Sequence, residues 1–214
     1  MDSFAALSLV VPLPRPQRGN ASRARVGNAE VVLERARGAY TLLWSNGREA
    51  RRYVLGLGEH GQLQLELRAP RFPLHLVPRE TLTLVPGARL SGYVTAPLIP
   101  TIVWNDEVGG AETLFELHPP ELQGQWEEDS GHALRCAVGW MVRFPMRSGE
   151  PRVVLPLRLS NRGSSVVTPG RLRVRITDGD LTPMRAAIVT RPHRIVFGEP
   201  TRNIANAPHP VEGL

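Results

Sequence analysis

Two stretches of this 214-residue chain alternate strictly between apolar and polar side chains. Residues 62–68 read Gln-Leu-Gln-Leu-Glu-Leu-Arg, and residues 171–176 read Arg-Leu-Arg-Val-Arg-Ile. In a β-strand successive side chains point to opposite faces, so this pattern places one face on a core and the other in water. No segment shows a convincing helical period. The alternation therefore predicts an all-β protein built from half-buried antiparallel strands.

Turn residues separate the other apolar runs at short intervals. The chain contains 20 prolines and 20 glycines, which suit a chain that reverses direction often. Ser45-Asn46-Gly47 between two apolar runs is the strongest hairpin signal, and Asp178-Gly179 predicts another turn. About a dozen short strands with such turns are typical of an immunoglobulin-like antiparallel β-sandwich, or of two packed sandwich lobes.

The charges fall into three blocks that suggest the domain boundaries. All 26 basic residues are arginine. Residues 1–105 hold thirteen arginines and seven acids, residues 106–133 hold eight acids and no arginine, and residues 134–214 hold thirteen arginines and five acids. We expect an N-terminal arm or first strand over 1–24, β lobes over 25–105 and 133–199, an acidic connecting segment over 106–132, and a C-terminal tail over 200–214. The acidic segment is predicted to be a long ordered loop, which could cover an arginine face or hold two copies together.

The cysteine count and the hydropathy pattern bear on the compartment. Cys136 is the only cysteine, so an internal disulfide is impossible and a reducing cytoplasm is the simplest location. The chain has no stretch approaching the ~20 apolar residues that span a bilayer, and its N-terminus does not resemble a signal peptide. We expect a cytoplasmic protein without a membrane span.

A glycine-rich motif at residues 56–61 matches the G-x-G-x-x-G pattern of dinucleotide-binding sites. That chemistry needs a helix after the motif, because the phosphate binds at the helix N-terminus. The segment that follows is the alternating strand 62–68. The motif is therefore predicted to be a glycine-rich hairpin loop, and no nucleotide cofactor is expected.

Candidate metal ligands and catalytic groups are sparse. Asp178 and Asp180 flank a glycine but are too few for a calcium loop. The run Glu127, Glu128, Asp129, with His132 nearby, is interpreted as a solvated acidic loop and as a candidate docking segment. The six histidines show no zinc-ligand spacing, and Cys136 lies in an apolar strand. We expect no metal, no cofactor and no catalytic residue from local motifs, although a site assembled across strands would leave no such motif.

The arginine ladder of Arg171, Arg173 and Arg175 is the most specific binding feature of the sequence. On a strand these side chains share one face at ~6.6 Å intervals. Arg158 and Arg162 flank the preceding strand and turn, and would join that face if the two strands pair. Guanidinium groups bind phosphates or carboxylates in bidentate geometry. The five arginines are candidates for binding a polyanion or a partner, and the alternative is an ordinary solvated face.

Three further segments carry a resemblance to a family. They are Leu84-Val85-Pro86-Gly87 with the strand that ends at Ala96-Pro97, the run from Val153 to Gly163, and the run from Met184 to Val189. In these segments the chain resembles an uncharacterised prokaryotic mostly-β family. The resemblance implies a soluble mostly-β protein and brings no catalytic residue with it.

These observations leave three functional hypotheses. The first is a non-catalytic interaction or assembly module that docks onto a protein partner or onto its own copies. The second is nucleic-acid or polyanion binding through the arginine face, for which affinity would fall steeply with salt. The third is a metal-dependent enzyme whose site is assembled across strands.

Overall fold

The computed structural model describes residues 8–17, 19–26, 29–36, 39–45, 49–56, 61–105, 110–119, 121–127, 131–145, 151–184 and 187–198. Their secondary structure is all β apart from one 3-10 turn at Asp178–Asp180, as the alternation predicts. The first nine strands are β1 (Val10–Leu13), β2 (Ala21–Val26), β3 (Ala29–Ala36), β4 (Ala39–Ser45), β5 (Ala50–Leu55), β6 (Gln62–Arg68), β7 (Leu74–Pro78), β8 (Arg89–Pro97) and β9 (Ile99–Asn105). The others are β10 (Ala111–Glu116), β11 (Gln123–Glu127), β12 (Gly131–Val138), β13 (Arg152–Asn161), β14 (Leu172–Val174), β15 (Thr182–Pro183), β16 (Ile188–Val189) and β17 (His193–Phe197).

These strands belong to two compact units, each with two sheets. The first unit takes its described residues from 1–68, 98–119 and 147–151. Its sheets have the strand orders β1-β6-β9-β10 and β2-β3-β4-β5, and every pair in them is antiparallel. In β6 the predicted alternation is confirmed, because Leu63, Leu65 and Leu67 are buried. The two sheets contact each other where Tyr53 of β5 stacks on Phe115 of β10, with ring centroids 4.0 Å apart.

The second unit takes its described residues from 69–97, 120–146 and 152–214. One sheet has the order β11-β12-β7-β14, and the other has the order β15-β16-β13-β17 with β8 also paired to β13. Three pairs, β7 with β12 and β13 with both β16 and β17, are parallel. The second unit thus contains parallel pairs beside its antiparallel ones, which the sequence analysis did not predict. Parallel pairs need long crossovers, which local turn signals do not reveal.

The units do not coincide with the contiguous lobes expected over 25–105 and 133–199. Residues 69–97 belong to the second unit because β7 pairs with β12 and β14, and β8 pairs with β13. The expected N-terminal arm contains β1, which pairs with β6. The acidic segment 106–132 contributes β10 to the first unit and β11 to the second, so it is not simply a long loop.

Three segments that the sequence predicts to be turns or loops can be compared with the structure. Asp178-Gly179 forms the 3-10 turn. The hairpin turn at 46–47 lies outside the described residues, although β4 and β5 on either side of it pair antiparallel. Residues 57–60 of the glycine-rich segment lie outside the described residues. The segment is followed by strand β6 as predicted, and β5 and β6 belong to different sheets.

The 3-10 turn is held to its surroundings by side-chain hydrogen bonds. Thr177 donates to Asp180 Oδ2 from its backbone N–H at 2.9 Å and from its hydroxyl at 2.7 Å. Arg191 donates to Asp180 Oδ1 from Nε at 3.1 Å and also from Nη2. The backbone N–H of Ala69 donates to Asp178 Oδ1. The turn is therefore joined to the segment between β16 and β17 and to Ala69, the residue that follows β6.

Candidate anion-binding groove

A groove of about 510 Å³ lies on the second unit, along β8, β13 and β17. Arg158 of β13 lies opposite Ser91 of β8 on one side and opposite Arg194 of β17 on the other. Ser160 lies opposite Arg89 in the same way. Residues directly opposite each other project to the same sheet face, so these side chains share one face. The polar lining of the groove includes Arg89, Ser91, Arg158, Ser160, Arg162 and Arg194.

The sequence of β13 explains why this face is polar. Leu155, Leu157 and Leu159 are buried in the core, whereas Arg158 between them is exposed. A strand with period two must present its intervening residues on the opposite face. The central position of β13 in the sheet then brings the polar residues of β8 and β17 beside its own.

The end of the groove near Asn161 is held by a buried amide. Asn161 is 1% exposed, and its Nδ2 donates to the carbonyls of Leu84 at 2.9 Å and Ser165 at 2.8 Å. Its Oδ1 accepts a hydrogen bond from the backbone N–H of Gly163 at 3.0 Å. The three bonds satisfy the buried side chain and fix the turn that carries Arg162.

The groove concentrates positive charge without a compensating carboxylate. Within the part of the chain that the structure describes, the guanidinium groups of Arg89, Arg158 and Arg194 make no hydrogen bond or ion pair, and the groove lining contains no acidic residue. Arginine remains charged at every physiological pH. Like charges directly opposite in a sheet are destabilising, so the Arg158–Arg194 pair carries a cost that a bound anion would relieve.

One hydroxyl at the groove has unused hydrogen-bonding capacity. Ser160 Oγ is buried and has no partner among the described residues. Burying a hydroxyl that makes no hydrogen bond costs stability.

Two titratable residues lie beside this region, His193 at the start of β17 and Asp180 in the 3-10 turn. Burial, the largest influence, lowers the pKa of His193; the nearby Asp180 acts to raise it, and Arg191 acts to lower it. Burial acts to raise the pKa of Asp180, but hydrogen bonds from Arg191 and Thr177 outweigh it and the pKa is lowered. His193 lies opposite Leu157, whose side chain is in the core, so it does not face the groove. Both groups act on stability.

The structure separates the five arginines predicted to form one binding face. Arg158 and Arg162 line the groove. Arg173 lies in β14, and Arg171 and Arg175 adjoin its ends, in the other sheet of the unit. The condition under which Arg158 and Arg162 would join the ladder is not met, because β13 pairs with β8, β16 and β17 and not with β14. Arg171 and Arg173 also have interactions of their own.

The acidic docking candidates are only partly described. Glu127 is the last residue of β11, and Glu128 and Asp129 lie outside the described residues. β11 and β14 are at opposite edges of one four-stranded sheet, about 14 Å apart at ~4.8 Å per strand. The acidic strand therefore does not pair with the strand of the ladder.

Sequence reasoning missed Arg89, Ser91 and Arg194. Local alternation places each of them on a strand face, as in Arg89-Leu90-Ser91. Which strands become neighbours depends on pairing between segments far apart in the chain, for which a single sequence carries no local signal.

No protein-family model, curated protein or solved structure matches this chain. Among the described residues, no three His, Cys, Asp or Glu side chains are grouped so that they could hold a metal ion. The same residues include no helix capable of spanning a bilayer. Function is therefore inferred from the groove.

Proposed function

We propose that this protein is a non-catalytic β-sandwich binding module that holds an anionic group of a partner in the groove along β8, β13 and β17. The observation that carries the proposal is the convergence of Arg89, Arg158 and Arg194 on one sheet face without a carboxylate partner. Charge concentrated in a concave surface raises the local concentration of counter-charged ligands.

The chemistry of the groove suits phosphates or carboxylates. A guanidinium group offers two parallel N–H donors to either anion, and such charge-assisted bonds are about twice as strong as neutral ones. Ser91, which is exposed, adds a hydroxyl donor beside the arginines. An anion bound there would also offset the repulsion between Arg158 and Arg194.

The proposed anion contact lies in the groove, whereas the sequence analysis predicts it at the ladder of Arg171, Arg173 and Arg175. It keeps the non-catalytic character of the first hypothesis and takes its ligand chemistry from the second. Docking onto a protein partner or a second copy, the immunoglobulin-like character of the sandwich and the cytoplasmic location stay predictions.

A titration with inorganic polyphosphate, followed by calorimetry at several salt concentrations, tests the proposal. We expect the Arg89→Ala/Arg158→Ala/Arg194→Ala variant to lose at least tenfold in affinity, since each charged hydrogen bond contributes about 1.5–3 kcal/mol. We expect the remaining binding to depend less on salt, because fewer phosphate contacts release counterions.

A matched control removes the same charge elsewhere. Arg25→Ala/Arg52→Ala/Arg175→Ala changes three exposed arginines outside the groove. It should keep nearly the wild-type affinity. Equal losses in the two variants would mean that polyphosphate responds to net charge alone, and the proposed site would be abandoned.

A further inference from the structure

The cationic face continues into a pair of aromatic rings. Tyr93 lies on β8 two residues beyond Ser91, and therefore on the same face as Ser91 and Arg89. Its ring contacts that of Phe144 in a T-shaped arrangement, with centroids 5.5 Å apart and an interplanar angle of 80°. Phe144 is 37% exposed. The segment that carries Phe144 is held to β8 by a bridge between Tyr93 and Met141.

The aromatic pair is flanked by further groups that suit an anionic ligand with flat apolar parts. Val142 is 79% exposed, and Arg143 between it and Phe144 is exposed and has no partner in the described part of the chain. Successive positions on one strand face are ~6.6 Å apart, so Tyr93 is about 7 Å from Ser91 and about 13 Å from Arg89 along β8. A short segment of a polymer can therefore contact the arginines and the rings together.

We infer that the groove binds single-stranded nucleic acid, with phosphates on Arg89, Arg158 and Arg194 and a base stacked beside Tyr93 and Phe144. The inference rests on the proposed function and specifies its ligand. Binders of single strands combine a positively charged groove that follows the backbone with aromatic side chains on which bases stack. Both parts occur here on one continuous face.

The aromatic pair distinguishes this ligand from the other polyanions. Phe144 is 37% exposed and Tyr93 is partly exposed beside it, so part of the aromatic surface is accessible to a base. An acidic peptide or a polyphosphate would use the arginines but would present no base to the rings. In a duplex each base is already stacked between its neighbours, so no base face is available to stack on Tyr93.

Fluorescence anisotropy with a labelled twelve-nucleotide oligo(dT) and its RNA equivalent measures the direct interaction. Unlabelled polyphosphate with the same number of phosphates, poly-glutamate and a twelve-base-pair duplex serve as competitors. We expect the single strand to bind at least fivefold more tightly than polyphosphate, because stacking adds to the shared phosphate contacts.

Substitutions of the rings test the stacking contact separately from the charge. Tyr93→Ala should weaken oligonucleotide binding about tenfold and change polyphosphate binding less than twofold, whereas Tyr93→Phe should retain both. Phe144 is on the surface, so Phe144→Ala gives a second variant that tests the same contact if Tyr93→Ala does not fold.

The possible results distinguish the inference of single-strand binding from the proposal of anion binding on which it rests. If polyphosphate binds as tightly as the oligonucleotide and the ring variants change nothing, the single-strand inference fails while the anion-binding proposal stands. If poly-glutamate binds most tightly, the partner is an acidic protein and the inference is again overturned. If no polyanion binds through the groove arginines, both are wrong.

Discussion

Arg158 of β13 lies directly opposite Arg194 of β17, and neither guanidinium group has an ion pair among the described residues. Their strands are parallel neighbours with backbones about 4.8 Å apart, so the two charges repel each other. We therefore expect this arrangement to lower the stability of the unbound protein and, under the proposed function, to favour a bound anion.

Reversing one of these charges should separate the two effects. Arg158→Glu replaces a repulsive pair by an attractive one, and we expect the free energy of unfolding to rise by about 0.2–1 kcal/mol. Polyphosphate binding should be lost at the same time. Urea denaturation measures the first effect and calorimetry the second. Arg158→Gln, which removes the repulsion without creating a pair, should give a smaller gain. A destabilised Arg158→Glu variant would contradict this account of the pair.

The buried carboxylate of Asp180 should matter more for stability than that of its neighbour Asp178. Asp180→Asn weakens the charge-assisted bonds from Arg191 and Thr177, and we expect a loss of about 1–3 kcal/mol in thermal or chemical denaturation. Asp178→Asn is the matched control, because its amide oxygen can still accept the bond from Ala69. Equal effects of the two substitutions would count against the role assigned to the Asp180–Arg191 pair.

The half-buried imidazole of His193 should make stability depend on pH. The pKa of His193 is lower in the folded protein than its ordinary value of about 6.5, so the unfolded chain binds more protons between those two values. The stabilising contribution is complete above about pH 6.5 and is lost as the pH falls toward the folded pKa. We expect the melting temperature to decrease from pH 7 to pH 5. The His193→Gln variant should lack this part of the decrease, and an unchanged profile in that variant would refute the assignment.

The space beside Gly92 should not accommodate a side-chain Cβ atom. A Cβ at this position would lie 2.5 Å from Cε2 and Nε1 of Trp140, so Gly92→Ala must displace a large ring. We expect a loss of about 1–3 kcal/mol, the usual cost of overpacking. Gly139→Ala is the control, because nothing lies within 4 Å of the added atom. Differential scanning calorimetry on both variants checks the difference, and similar melting temperatures would show that Trp140 moves freely.

Adjacent residues of β13 should respond in opposite ways to loss of their polar groups. Asn161→Ala removes three hydrogen bonds from a buried site, and we expect a loss of about 3 kcal/mol. Ser160→Ala removes a buried hydroxyl without a partner, so it should leave stability unchanged or slightly improved. A stability loss in Ser160→Ala would indicate a bond that involves the hydroxyl.

The strands themselves were predictable from the sequence, because alternation is a local property. The buried leucines of β6 and the buried Leu172, Val174 and Ile176 around β14 lie where the period of two places them. The parallel pairs were not predictable. They depend on which apolar faces pack together after long crossovers, and this is not encoded in any short window.

The candidate site, like the fold, could be predicted only in part from the sequence. The sequence identifies Arg158 as a binding candidate on the strand before the ladder, but its neighbours Arg89 and Arg194 come from strands on either side that are distant in sequence. The ladder of Arg171, Arg173 and Arg175 can be predicted from the sequence because its three arginines are close together in the chain. The groove brings its arginines together only through strand register, so it was found only from the fold.

The pairing of β8 with β13 has a consequence for the chain during its synthesis. β8 leaves the ribosome well before β13 is made, a delay of roughly 3–10 s at about 5–20 residues per second. During that time Val94 and Ala96 of β8, buried in the finished protein, have no partner strand to cover them. Because each unit also draws on separated stretches of chain, neither can be completed by the first hundred residues alone. Nascent chains halted before β13 should therefore be sensitive to proteases and should bind chaperones, and both properties should disappear once β13 has emerged.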